Sequence, residues 1–189
     1  MIIMNTNNPF QNRPAIFLDR DGTIVEDVGY ISTIEQIVWF PDTITALKRL
    51  SDRFPLFVVS NQSGIAIGEL TTEAVAAVNS HIDATLARHG IRIQKWYVCP
   101  HSRKDECRCM KPSPFFLYEA VREYGVSLTG SYAIGDHPHD LSFIENQGGT
   151  GLYLLTGHGA RHRGELSDRR PVYPTLTHAV DSILRITDK

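Results

Sequence analysis

The chain has 189 residues, of which 42% are hydrophobic and 21% charged, and its formal net charge is −2 at pH 7. That length suits one compact domain with a real core, and the ordinary charge content excludes wholesale disorder. The mild acidity argues against a general nucleic-acid or anionic-membrane binder, and no apolar run approaches the roughly 18 residues of a membrane helix.

Residues 1–13 are polar and Asn-rich and read as a flexible leader. The apolar Ile2, Ile3 and Met4 are too few for a secretory core and lack a basic lead, so the expected compartment is the cytoplasm. A single domain is expected over 14–189. Ala15 to Leu18 is a short apolar run ending in acid, as a buried strand does. Asp42 after Pro41 then starts a helix whose face is Ile44, Leu47 and Leu50. Leu56 to Val59 is a second buried strand. From 71 to 89, Val75, Val78, Ile82 and Leu86 form one helical stripe, stopped by Gly90.

Trp96 to Val98 continues the strands. Ser113 and Pro114 read as N-cap and first residue of a helix that buries Leu117, Ala120, Val121 and Tyr124 and ends at Gly125. Tyr132 to Ile134 is a strand, Pro138 opens a short helix, Leu152 to Leu155 is a strand, and Val180, Ile183 and Leu184 mark a terminal helix. Residues 161–170 read as a polar surface loop. Strand and helix alternating at this spacing predict an α/β fold, a Rossmann-like three-layer α/β/α sandwich with a mostly parallel central sheet. Such sheets carry their sites beyond the carboxyl ends of the strands.

Asp19, Asp21 and Gly22 follow the first strand. Residues i and i+2 of an extended segment point the same way, so both acids can face one pocket. The pattern also occurs in turns and calcium loops, but the twelfth position from Asp19 is Tyr30, where a calcium loop needs Glu. Ser60 and Asn61 put a hydroxyl and an amide at another strand end, and Lys111 offers an ammonium. Asp136 and Asp140 add carboxylates at a third. Taken singly, these also fit an ordinary turn, a solvated lysine and, for Asp136, an N-cap of the helix at Pro138.

All three cysteines lie in Cys99-Pro100-His101 and Cys107-Arg108-Cys109. A disulfide framework would spread an even number along the chain. Three thiols and an imidazole so close together suit tetrahedral zinc, with no open position, in a loop over 99–109. The alternative is free thiols with a surface histidine. The loop leads directly into Lys111.

Asp19-x-Asp21-Gly22-Thr23, Ser60, Lys111 and Gly135-Asp136-x-x-x-Asp140 resemble, in order, the four motifs of the haloacid dehalogenase (HAD) superfamily of phosphatases. The resemblance implies Asp19 as nucleophile and Asp21 as general acid and base. It implies magnesium between Asp19, the Asp21 carbonyl and Asp136. Ser60, Asn61 and Lys111 would hold the phosphoryl oxygens, and Asp140 would orient Lys111 or a metal-bound water. The cysteine loop resembles the zinc-containing branch of heptose bisphosphate and histidinol-phosphate phosphatases. Gly29-Tyr30-Ile31 with Phe40-Pro41, and Asn61 to Ala66 with Gly68, favour the heptose members and a role in carbohydrate metabolism.

Three residues depart from that branch: Met110 stands for arginine, Phe115 for glycine and His137 for lysine. Arg108 or Arg20 is left to serve a second phosphate. Tyr30, Ser63, Arg108 and His137 are the expected substrate contacts. No segment is long enough for a large cap domain, so the site should be open. The expected partner is a small phosphorylated metabolite, a sugar phosphate, with no nucleic acid or membrane, on a monomer or small homo-oligomer. The competing functions are a histidinol-phosphate phosphatase, a nucleic-acid 3′-phosphatase and a non-catalytic phosphate-binding module.

Overall fold

A computed structural model of the protein describes residues 9–166 and 170–187. Its strands are β1 (Pro14–Leu18), β2 (Leu56–Asn61), β3 (Ile93–Cys99), β4 (Ser127–Gly135), β5 (Thr150–Leu154) and β6 (Val172–Tyr173). They form one six-stranded sheet in the order β3-β2-β1-β4-β5-β6, and every pairing is parallel. The helices are α1 (Thr43–Ser51), α2 (Thr72–Arg88), α3 (Phe115–Tyr124), α4 (Pro138–Glu145), the short α5 (Gly159–His162) and α6 (Leu176–Thr187).

The central strands are continuously apolar because both faces of the sheet are covered. Ile16, Leu18, Leu56 and Val58 point into a core shared with Leu47 and Leu50 of α1, Ile82 and Leu86 of α2, and Val180 and Ile183 of α6. Ala15, Phe17, Phe57 and Val59 point the other way, onto Phe116, Leu117 and Ala120 of α3 and Phe143 and Ile144 of α4. Each leucine, isoleucine, valine or phenylalanine among them contributes roughly 1.5–3 kcal/mol when fully buried. Phe17 stacks on Phe57 with centroids 5.3 Å apart and meets Phe143 edge-on at 6.2 Å.

Local signals place the helix ends. The Thr71 hydroxyl accepts the Ala74 N–H at 3.1 Å, and Gly90 and Gly125 close α2 and α3 with φ of 70° and 65°. Other ends differ from expectation. Asp42 stands at the N-cap of α1, where the helix start was expected, but its side chain makes no capping bond. It accepts the Thr177 N–H of α6 at 2.8 Å, because α6 packs beside α1. Helix α3 begins one residue later than predicted, with Pro114 at its N-cap. His137, not Asp136, caps α4, and the Asp140 carboxylate returns to accept the His137 N–H at 2.9 Å. The expected loop at 161–170 begins with the end of α5 and a 3₁₀ turn over Arg163–Glu165. The two-residue β6 was too short to read.

The proposed leader over 1–13 lies mainly outside the described residues. Of the part described, Phe10 packs against the second core and Tyr124, and the Asn12 N–H donates to the Gly125 carbonyl at 2.8 Å. Between β1 and α1 the chain makes only a 3₁₀ turn and two isolated bridges, so no large cap covers the sheet. Among the described residues no helix is long and apolar enough to cross a membrane. Because all strands run one way, Asp19, Ser60, the cysteine loop, Asp136 and the 155–158 turn meet at one rim.

Candidate active site

Three acids converge at that rim. Carboxylate oxygens of Asp19, Asp136 and Asp140 lie within 4.8 Å of one another. Asp136 fits there only because glycines flank it. A Cβ at Gly22 (φ 78°) would stand 2.2 Å from Asp136 Oδ2, and one at Gly157 would stand 2.3 Å from the same atom. The His158 N–H donates to that oxygen at 2.7 Å. Lys111 Nζ lies 2.6 Å from Asp19 Oδ1 and 2.6 Å from Asp140 Oδ1. With Oδ1 on Lys111 and Oδ2 on the His137 N–H, both oxygens of Asp140 are committed within the protein.

This crowding changes the acids' ionisation. Burial, then the charges of Asp140 and Asp21, push Asp19 up to about 7 against the pull of Lys111. Burial, then Asp19 and Asp140, push Asp136 up to about 8. Burial works against the Lys111 ammonium, but Asp140 and Asp19 outweigh it and hold the group above its usual range. Buried carboxylates this close need a counter-cation beyond one lysine. Hard oxygen donors at such separations suit magnesium, whose octahedron spaces neighbouring oxygens by about 3 Å.

Asp21 stands apart from that trio. Its carboxylate accepts Arg20 Nε at 2.9 Å, Arg20 Nη2 at 2.8 Å and Gln62 Nε2 at 2.8 Å. Arg20 is fully buried, and its third bond goes to Asn79 Oδ1 at 2.9 Å, so it is unavailable to a second phosphate. Gln62 also donates to Ser60 Oγ at 2.7 Å, which leaves the Ser60 proton for another acceptor. The Asn61 amide faces the Lys111 backbone: its Oδ1 accepts the Lys111 N–H at 3.0 Å, and its Nδ2 donates to the Lys111 carbonyl at 3.4 Å. Asn61 therefore positions the segment carrying Lys111.

Asp19, Asp21, Ser60, Asn61, Gln62, Lys111, Asp136 and Asp140 line a cleft of about 560 Å³, which also takes in Tyr30, Ser63 and His137. Arg108, expected at the substrate, does not line it. Its guanidinium lies 4.8 Å over the Phe115 ring, because the arginine finds an aromatic face there. Gln62, Asp27, Arg103 and the His158 N–H belong to the site and were not read from the sequence. The Ser60-x-Gln62 spacing was a usable signal for Gln62. Burial, then His139, holds His137 below the ordinary histidine range.

The cysteine loop closes on itself. The sulfurs of Cys99, Cys107 and Cys109 are 3.0–3.7 Å apart, and His101 Nδ1 lies 3.7 Å from Cys99 and 3.3 Å from Cys109. A zinc tetrahedron with bonds near 2.3 Å has edges of about 3.8 Å, so this slightly tighter set fits the ion. Burial pushes the Cys99 and Cys109 thiols up, whereas for Cys107, against burial, the Cys109 N–H and the Cys99 thiol hold the group down at about 7.

The HAD-hydrolase-like family model matches residues 108–182. The D-glycero-beta-D-manno-heptose-1,7-bisphosphate 7-phosphatase of Yersinia pestis is 35% identical over 164 residues, covering 82% of this chain and 87% of its own. The enzyme of that name from Escherichia coli K12 is 32% identical over 180 residues, with 90% and 88% covered. The crystal structure of D,D-heptose 1,7-bisphosphate phosphatase from B. bronchiseptica, complexed with magnesium and phosphate, aligns with a TM-score of 0.84 at 28% identity, over 92% of this chain and 99% of that one. Kinship along nearly the whole length and a matching fold settle the wider identity: this chain belongs to the HAD-like hydrolases and is a phosphoric monoester hydrolase among their sugar-phosphate phosphatases.

Proposed function

We propose that the chain removes the 7-phosphate of D-glycero-D-manno-heptose 1,7-bisphosphate through an acyl phosphate formed on Asp19. The carrying observation is the pair of carboxylates at one cleft with separate partners, Asp19 on Lys111 and Asp21 on Arg20 and Gln62. That division supports one acid as nucleophile and the other as proton carrier. The named activity of the Yersinia and Escherichia relatives supports the heptose substrate over histidinol phosphate, a nucleic-acid end or mere binding.

A carboxylate oxygen of Asp19 attacks phosphorus as the P–O ester bond breaks, and Asp21 gives its proton to the leaving alkoxide. Asp21 then takes a proton from water, which attacks the phosphorus on Asp19, releases inorganic phosphate and restores the carboxylate. Lys111 and the free Ser60 proton stabilise the phosphoryl oxygens. Asp140 holds the ammonium in place. Magnesium, which Asp19, Asp136 and the Asp21 carbonyl would hold, offsets the like charges of carboxylate and phosphate. Cys99, His101, Cys107 and Cys109 would hold a structural zinc, and ligand thiols suit the reducing cytoplasm.

The test is phosphate release by purified protein from the heptose bisphosphate and from histidinol phosphate, with magnesium present. Preference for the heptose ester, lost in Asp19→Asn with an unchanged circular dichroism spectrum, supports the reading. Faster turnover of histidinol phosphate would overturn the substrate, and an active Asp19→Asn would overturn the nucleophile.

A further inference from the structure

Four of the chain's eight histidines gather beside the acid centre. The His137 ring lies 4.6 Å from that of His139 and 4.5 Å from that of His162, centroid to centroid, and His158 lies 6.1 Å from His162. They come from two segments, the start of α4 after β4 and the short α5 after β5. The reaction described above uses none of these imidazoles.

Two of the four face other partners. His139 Nε2 lies 3.5 Å from Arg103 Nη2, and His158 Nδ1 lies 3.4 Å from Asp27 Oδ2. The other two share a carboxylate. Ligand atoms of His137, His162 and Glu165 all lie within 4.8 Å of one another, and His162 Nδ1 is 2.6 Å from Glu165 Oε1. His162 ends α5 and Glu165 ends the 3₁₀ turn that follows, so the two fall about one turn apart on one face. His137 reaches them from the N-cap of α4, where its Nδ1 accepts a long 3.3 Å bond from the His139 N–H.

Two imidazole nitrogens and a carboxylate oxygen are the donor set of a borderline divalent cation. Bonds near 2.1 Å give a tetrahedron edges of about 3.4 Å, so the His162–Glu165 contact opens by about 0.8 Å to admit the ion. Both side chains reach solvent and are free to make that adjustment. At His137 the ion displaces the long bond from His139.

We propose that His137, His162 and Glu165 bind an exchangeable nickel, cobalt or zinc ion, on side chains different from the magnesium acids and from the thiol loop. Three ligands leave a position open to water, so this ion exchanges with the medium where a closed set of four ligands retains its own. The bound ion ties the segment after β4 to the segment after β5 and braces the turn that carries Asp136.

The experiment is a calorimetric titration of nickel chloride into the full chain, with the thiol loop loaded with zinc and magnesium saturating. The unaltered chain takes up one nickel ion at this site. His162→Gln and Glu165→Ala each weaken nickel binding at least about tenfold, the least that losing even a supporting group costs a metal site. His178→Gln, on α6 beside Thr175, leaves the affinity unchanged. Glu165 is the more exposed of the two ligands altered, and Glu165→Ala keeps the test sound if His162→Gln disturbs the fold. Native nickel affinity in a folded ligand variant overturns the proposal, as does an equal loss in His178→Gln or no uptake by the unaltered chain. The readout is binding, so the result is independent of which ester the enzyme hydrolyses.

Discussion

Alanine at position 22 probes the acid centre through one atom. Its Cβ would lie 2.2 Å from Asp136 Oδ2 and 2.5 Å from Asp136 Cγ, where ordinary contact begins at 3.4 Å. The carboxylate must retreat by about 1 Å, since overlap of that depth is not tolerated in a close-packed site. Its retreat is hemmed in by Gly157 and would strain the 2.7 Å bond from the His158 N–H. A displacement of that size at reacting atoms costs on the order of 100-fold in rate. The φ of 78° adds about 1–2 kcal/mol of backbone strain in any residue with a Cβ.

Gly22→Ala should therefore weaken the apparent magnesium affinity at least about tenfold, lower kcat/KM about 100-fold and reduce the melting temperature by about 3–6 °C. Gly148 (φ 84°) has nothing within 4 Å of its would-be Cβ, so Gly148→Ala should lose stability alone. Magnesium titrations of phosphate release, with thermal scans of both variants, separate clash from strain. A Gly22→Ala enzyme with native magnesium dependence and turnover would refute the role of Asp136 at the metal.

Burial and like charge raise Asp19 to about 7 and Asp136 to about 8, whereas an unfolded Asp titrates near 4. The metal-free native state thus holds more protons between these values, and its stability from these groups falls as pH rises from about 4 to about 8. Magnesium offsets that charge, so its increment in melting temperature should grow from pH 6 to pH 8.5; an increment independent of pH would contradict the coupling. Elemental analysis should find about one zinc per chain, and Cys107→Ser should lose it and melt more than about 5 °C lower. A zinc-free sample as stable as the loaded one would exclude a structural site. Arg20→Ala leaves Asp21 and Asn79 without their buried partner and should cost about 3–5 kcal/mol in denaturant unfolding; a loss under about 1 kcal/mol would mean that the guanidinium does not hold the acid.

The features legible in the sequence were those with local causes. Asp19 and Asp21 follow an apolar run directly, and His101 and the three cysteines fall within one short loop, so both clusters show in the spacing alone. Gly90 and Gly125 stop helices by backbone chemistry that any sequence displays. The parts that could not be read depend on distant segments. Asp42 bonds to Thr177 because α1 and α6 happen to be neighbours. Spacing could not separate an N-cap from a metal role for Asp136; His137 occupies the cap, and Gly22, distant in sequence, lies against the Asp136 carboxylate. Arg20 and Arg108 were indistinguishable from Arg103 on paper, since no pattern tells which loop cation is buried, which rests on an aromatic ring and which faces a cleft.

The absence of a roof over the sheet bears on the fate of the phosphate on Asp19. With no large cap among the described residues, bulk solvent would reach an acyl phosphate on Asp19 at all times, and so would any small alcohol present at high concentration. Water and a polyol such as glycerol then compete for the same phosphorus, and the partition between them follows their concentrations and their fit beside Asp21. If Asp19 carries the phosphate as proposed, such an enzyme would double as a weak phosphotransferase whenever its medium supplies an alternative hydroxyl.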